Sequence, residues 1–139
     1  MVLCCLAVTT APVFSSASTD EESGILPAGV TVIQAEGLIR LARIYDDLII
    51  IDSRSPVDRK IGYIEGSVAL PDNQTTCETL AKTNKNLVRP MVFYCNGIKC
   101  TRSHRALQLA SSCGYSQLYW FKGGYEEWRE KRLPVLGSH

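Results

Sequence analysis

No sign of charge dominates this 139-residue chain: Lys and Arg number 15, Asp and Glu 14, and the formal net charge is +1. The charges are interspersed, so no basic stripe points to nucleic acid and no acidic tail to a solvating arm. Internal repeats and low-complexity tracts are also absent, which leaves a single ordinary domain rather than an array. The apolar stretch at residues 1–14 is too short for a stable transmembrane helix, so no stable membrane insertion is expected. Beyond Cys95 and Cys100 the domain has no second close cysteine pair, and no metal site is expected. What is present is ordinary soluble composition, 45% hydrophobic and 21% charged. Six cysteines are many for this length yet too few for a disulfide scaffold, and a core of this size needs no staples to fold.

The first cysteines, Cys4 and Cys5, belong to a different kind of segment from the rest. Residues 1–14 carry no acid or base, and the small Ser15 and Ala17 stand where a secretory cleavage site needs them. A basic leading region is missing. Residues 1–17 read as a signal peptide and 18–29 as a linker, which predicts a periplasmic or secreted protein. The alternative is a short disordered head on a cytoplasmic one. After cleavage, Cys77, Cys95, Cys100 and Cys113 would remain in an oxidising compartment.

Residues 30–136 alternate strand and helix. Strands are expected at 30–33, 48–52, 67–70, 91–94 and 118–121. Helices are expected where Leu38, Leu41, Ala42 and Tyr45 share a face, at 77–82, at 103–113 and at 125–131. The run Leu48-Ile49-Ile50-Ile51 lacks polar alternation and suits a central parallel strand covered on both faces. Ser103 reads as the N-cap of its helix, and Gly114 as the stop. About five strands alternating with helices predict an α/β fold, a parallel sheet flanked by helices on both faces.

In such sheets ligands bind beyond the carboxyl ends of the strands. Asp52 and Arg54 follow one strand and Cys95 another. Cys95 opens a loop leading into a helix, whose amides and N-terminus favour an anion and a thiolate. Lys99, Arg102 and Arg105 add positive charge. A nucleophilic cysteine with an anion cradle is equipped to attack sulfur or phosphorus oxyanions.

Ordered motifs make the pattern specific. Ile51-Asp52-Ser53-Arg54-Ser55-Pro56, then Gly62-Tyr63-Ile64-Glu65-Gly66-Ser67 with Leu70-Pro71, form the first. Phe93-Tyr94-Cys95-Asn96-Gly97 with Arg102-Ser103 forms the second. Gly114-Tyr115 and Gly123-Gly124-Tyr125-Glu126-Glu127-Trp128 close the series. This series resembles the rhodanese family over roughly residues 30–136. The resemblance implies a five-stranded parallel sheet and a sulfurtransferase that moves sulfane sulfur from a donor such as thiosulfate to a thiophilic acceptor through a persulfide. By the same resemblance Cys95 carries the sulfur. Asn96, Gly97, Ile98, Lys99, Cys100 and Thr101 form the substrate loop, and Arg102 faces the anion. Asp52 and Arg54 support the site, as do Ser103 and Arg105. No cofactor is required. The implied partners are a small sulfur-containing anion and an acceptor such as cyanide, a thiol or a protein.

The chain departs from the family twice. Tyr63 stands where histidine is common, and the segment from Cys95 to Ser103 is two residues longer than usual. Enlarged loops also occur in related phosphatases, which need arginine six positions after the cysteine. Thr101 fills that place for Cys95 and Ala106 for Cys100, so phosphatase chemistry is not expected. Cys100 itself is an inert loop residue, a resolving partner for Cys95, or the nucleophile. His104 is expected on the surface, Cys77 and Cys113 have no close cysteine neighbour in sequence, and their pairing is open. The alternatives to sulfurtransfer are a non-catalytic binding module and a thiol-redox protein using Cys95 and Cys100.

Overall fold

The computed structural model describes residues 25–137; the signal-peptide reading of residues 1–17 and most of the linker at 18–29 lie outside it. The elements run β1 (Thr31–Ile33), α1 (Ala35–Ile44), β2 (Ile49–Asp52), α2 (Pro56–Ile61), β3 (Tyr63–Ile64) and β4 (Ser67–Ala69). After them come α3 (Cys77–Thr83), β5 (Met91–Tyr94), α4 (Arg102–Ser112), β6 (Leu118–Phe121), α5 (Gly124–Glu130) and β7 (Val135–Leu136). Five strands form one sheet in the order β1-β6-β5-β2-β4, with every pairing parallel.

Side chains that alternate along each strand divide between two cores. Ile49, Ile51, Met91, Phe93 and Leu118 face Leu80 of α3 and Ala106, Leu107 and Ala110 of α4. Ile50, Val92, Tyr94 and Phe121 face Ala35 and Leu38 of α1 and Tyr125 and Trp128 of α5. β2 and β5 are buried at every position; the apolar runs Ile49-Ile50-Ile51 and Met91-Val92-Phe93-Tyr94 suit a strand covered on both faces, and β2 ends in the buried Asp52.

Several local expectations need correction. Helix α2 is only six residues long, and its two apolar residues on one face, Val57 and Ile61, are exposed, so hydrophobic periodicity missed it. Its start is nevertheless written in the chain: Ser55 accepts from the Asp58 amide as N-cap, and Pro56 takes the first position. The two-residue strands β3 and β7, which pair antiparallel, were too short to show an alternation. Ala42 is exposed, because the buried stripe of α1 runs through Ala35 and Leu38. Helix α4 opens one residue earlier than expected, with Thr101 in the cap position. Ser103 is buried instead, and its hydroxyl accepts from Trp120 Nε1 at 3.0 Å. His104 is half-buried, its ring centroid 5.3 Å from that of Trp120.

Cys77 and Cys113 pair with each other. They form a disulfide across 36 residues, with Cα atoms 5.5 Å apart. Cys77 opens α3 and Cys113 caps α4, and both helices pack on one face of the sheet, a proximity that no local pattern could reveal. Closing a loop of this length stabilises the fold by about 3–4 kcal/mol in the chain-entropy account. The Cys77→Ser/Cys113→Ser double variant should therefore unfold at lower denaturant than the wild type under non-reducing conditions. Its free energy of unfolding should fall by about 3–4 kcal/mol. An unchanged midpoint would remove the bond from the stability of this domain.

Candidate active site

The sheet order sets the position of the site. The chain leaves β2 towards β4 at one edge and leaves β5 towards β6 on the other side, so the two connections diverge from neighbouring strand ends. That divergence opens a crevice at the carboxyl ends of β2 and β5. Asp52 ends β2 and Cys95 follows β5 directly.

Beneath the crevice lies a buried polar cluster centred on Asp52. Its carboxylate accepts from Arg54 twice, through Nε at 2.9 Å and Nη2 at 2.7 Å. It also accepts from Arg59 Nη1 at 2.9 Å, from the Tyr94 hydroxyl at 2.7 Å and from the Arg54 amide at 3.1 Å. Arg54 donates again to the Gly62 carbonyl at 2.7 Å, and its guanidinium lies 4.2 Å from the Tyr125 ring centroid. Arg59 binds Ser67 through both its hydroxyl and its carbonyl. Burial alone would raise the Asp52 pKa, but hydrogen bonds and charge from Arg54 outweigh it and hold the carboxyl below its usual range. Burial pushes the Tyr94 phenol up, and the Asp52 charge adds to that, so the phenol stays a donor. Tyr63, where histidine is common in the family, stacks on Arg59 at 3.8 Å from guanidinium to ring centroid.

Cys95 is 2% exposed and forms a disulfide with Cys100, with Cα atoms 6.2 Å apart. The loop between them turns on a hydrogen bond from the Cys100 amide to the Gly97 carbonyl at 3.0 Å. Helix α5 grips the loop from outside: the Tyr125 amide donates to the Cys95 carbonyl at 2.9 Å and the Glu126 amide to that of Asn96 at 2.7 Å. Gly124, at φ +59°, makes this approach possible, since a Cβ there would lie 2.3 Å from the Cys95 carbonyl oxygen. Asn96, Gly97, Ile98, Lys99, Cys100 and Glu126 line an open cavity of about 490 Å³ beside the disulfide.

The expected cationic cluster is divided. Arg102, expected to face the anion, instead donates to Asp58 at 2.9 Å on the side of α2 and does not line the cavity. Arg105 pairs with Asp72 through Nε at 3.0 Å and Nη2 at 2.5 Å, with Thr101 also in reach at 3.3 Å. Lys99 is the cation on the cavity wall, opposed there by Glu126. Asp58 was missed because it lies 44 residues from Arg102. The available signal was its place three residues after Ser55, whose hydroxyl, followed by Arg102 and Asn96, lowers its pKa. Asp52 and Arg54 pair with each other beneath the crevice, and Arg59, Tyr94 and Glu126, which the sequence did not single out as site residues, lie beside them or on the cavity wall.

A model of the rhodanese-like domain family matches residues 38–131. YibN, an uncharacterized protein of Escherichia coli K12, is 25% identical over 92 residues, which cover 66% of this chain and 62% of YibN. The chain thus spans less than two thirds of that relative. Among solved structures, the polysulfide-sulfur transferase homodimer of Wolinella succinogenes superposes with a TM-score of 0.66 at 23% identity, covering 80% of this chain and 81% of that one. Thiosulfate sulfurtransferase of Pseudomonas aeruginosa gives 0.63 at 15% identity, covering 79% and 21%. At these identities the structural likeness speaks for the fold.

Removing the charge of Asp52 should expose how much of the crevice rests on it. Asp52→Asn leaves the buried Arg54 without its counter-charge and should cost about 3–5 kcal/mol in chemical denaturation. Because the folded pKa of Asp52 is depressed, its stabilisation is present above the unfolded value of about 3.9 and is lost as pH falls below it. Wild-type stability should drop steeply in that acid window, and the Asn variant should lose part of the drop. Parallel acid profiles for the two proteins would refute the assignment.

Proposed function

Because the chain belongs to the rhodanese-like domain family, whose folds here include sulfurtransferases, we propose that it carries sulfane sulfur on Cys95. One observation carries this reading: Cys95 sits at the divergence of β2 and β5, with a cavity lined by its own loop. Reduction of the disulfide frees the Cys95 thiolate. The thiolate attacks the outer sulfur of a donor such as thiosulfate, the donor's S–S bond breaks, and sulfite leaves with the electron pair. A thiophilic acceptor then takes the outer sulfur and restores the thiolate.

Lys99 replaces Arg102 as the cation facing the donor in this reading, since Arg102 is spent on Asp58. Arg102 and Asp58 together position the loop. The Cys95–Cys100 bond favours a second reading, a thiol-redox protein that forms no persulfide. The Cys77–Cys113 bond is in keeping with export to an oxidising compartment, and the location proposed is periplasmic or secreted.

Intact mass after thiosulfate treatment of the reduced protein tests the central claim. Cys95→Ser should take up no sulfur while remaining folded, because a serine hydroxyl is a far weaker nucleophile. Lys99→Ala should impair uptake from thiosulfate more than from an uncharged organic trisulfide, whereas Arg102→Ala should impair both alike. The reverse ranking would return Arg102 to the anion. Export makes its own prediction: protein isolated from its host should begin at Ser18, and an intact Met1 would place it in the cytoplasm.

A further inference from the structure

We infer that Cys100 is the internal acceptor of the reaction, so that the protein releases its sulfane sulfur as hydrosulfide and closes the Cys95–Cys100 disulfide. The inference rests on the sulfurtransfer reading and specifies its product. The residue argument begins with reach. Five positions separate the two cysteines, and the turn fixed by the Cys100 amide on the Gly97 carbonyl brings the Cα atoms to 6.2 Å, within bonding range for the sulfurs. Any thiol that can bond to Cys95 Sγ in the resting protein can also attack Cys95 Sγ when it bears an extra sulfur.

The step balances without another reactant. Cys100 Sγ bonds to Cys95 Sγ, the bond from Cys95 Sγ to the outer sulfur breaks, and that sulfur departs with the electron pair. Together with the Cys100 proton it leaves as hydrosulfide. The two protein thiols are oxidised to a disulfide and the outer sulfur is reduced. Attack on the outer sulfur instead would expel the Cys95 thiolate. Geometry decides between the two attacks: the turn that bonds Cys100 Sγ to Cys95 Sγ aims it at that sulfur and not at the one beyond it. An aligned neighbour in the same loop also outcompetes a free acceptor, since well-oriented intramolecular reactions reach effective molarities of about 10⁵–10⁸ M.

Burial then directs the return step. Cys95 is 2% exposed, whereas Cys100 is half-buried and lines the cavity of about 490 Å³. An external dithiol therefore meets Cys100 Sγ first, forms a mixed disulfide there and expels the Cys95 thiolate, which is the nucleophile the next donor needs. The dithiol's second sulfur resolves the mixed disulfide and returns Cys100 to the thiol. The complete cycle converts thiosulfate and a dithiol into sulfite, hydrosulfide and the oxidised dithiol.

The experiment uses reduced full-length protein freed of reductant under anaerobic conditions and given thiosulfate, whose own leaving group is sulfite. Wild type should release one equivalent of hydrosulfide per chain, and its intact mass should fall by two hydrogens. Peptide mapping after alkylation should place the new bond between Cys95 and Cys100. Cys100→Ser and Cys100→Ala should each gain one sulfur, hold it, release no hydrosulfide and surrender it to cyanide. A wild-type protein that holds its sulfur with Cys100 still alkylatable overturns the internal step and leaves sulfurtransfer standing. Variants that never gain sulfur, though folded by circular dichroism, overturn both.

Discussion

A carboxylate buried at the end of a parallel strand is the constraint on which the rest of this site depends. Asp52 carries its charge into the interior, where an unpaired carboxylate would cost several kcal/mol. The charge is tolerated because five donors meet it: two from the Arg54 side chain, one each from Arg59 and Tyr94, and the Arg54 amide. Those donors come from three different segments. Tyr94 ends β5, Arg59 lies in α2, and Arg54 begins the connection out of β2 while holding the Gly62 carbonyl. Satisfying one carboxylate thus fixes the relative positions of β2, β5 and α2 at the end of the sheet where the crevice opens. Cys95 is the next residue after Tyr94, so its backbone position follows from the Tyr94–Asp52 bond.

Beyond Cys95 the chain leaves the sheet, and other contacts take over. Helix α5 turns its first amides towards the carbonyls of Cys95 and Asn96, which spends donors that a helix start would otherwise leave orphaned. Asp58 reaches the same loop from α2 through Arg102 and Asn96. The two grips hold opposite ends of the loop, Cys95-Asn96 and Arg102. Between them Ile98 and Lys99 are exposed, and the only backbone hydrogen bond inside the loop, among the described residues, is the Cys100–Gly97 turn. This leaves the middle of the loop free to rearrange when the disulfide opens and closes, while its ends stay anchored.

The family and the α/β sheet were legible because they depend on patterns that local sequence carries. Unbroken apolar strands such as residues 91–94 declare a two-sided cover, and ordered motifs over a hundred residues declare the family. The pairing of Asp52 with Arg54 was also legible, since residues two apart at a strand end lie within reach of each other. The partners of Arg102, Arg105, Cys77 and Cys113 were not. Each lies more than thirty residues away, and each is brought into reach by packing on the sheet rather than by helical or strand spacing. Counting Lys99, Arg102 and Arg105 as one positive patch failed for the same reason: Asp58 and Asp72 neutralise two of the three only once the chain is folded.

The two extra residues of the loop take on a physical meaning in this light. Thr101 caps α4, so Cys100 is the last residue of the loop proper before the helix begins. In a loop shorter by two, the fifth position after Cys95 would fall within the first turn of the helix. There the backbone is committed to helical hydrogen bonding, and a side chain leans along the helix axis instead of back across the loop. The added length keeps Cys100 on a flexible turn that can fold its sulfur onto Cys95. Lys99 stands on the wall of the cavity that this loop lines, while Arg102 and Arg105 are drawn away by Asp58 and Asp72. A loop that holds an oxyanion tightly suits a protein that hands its sulfur to whatever acceptor arrives. One that trades part of that charge for a second thiol suits a protein that completes the reduction of the sulfur itself.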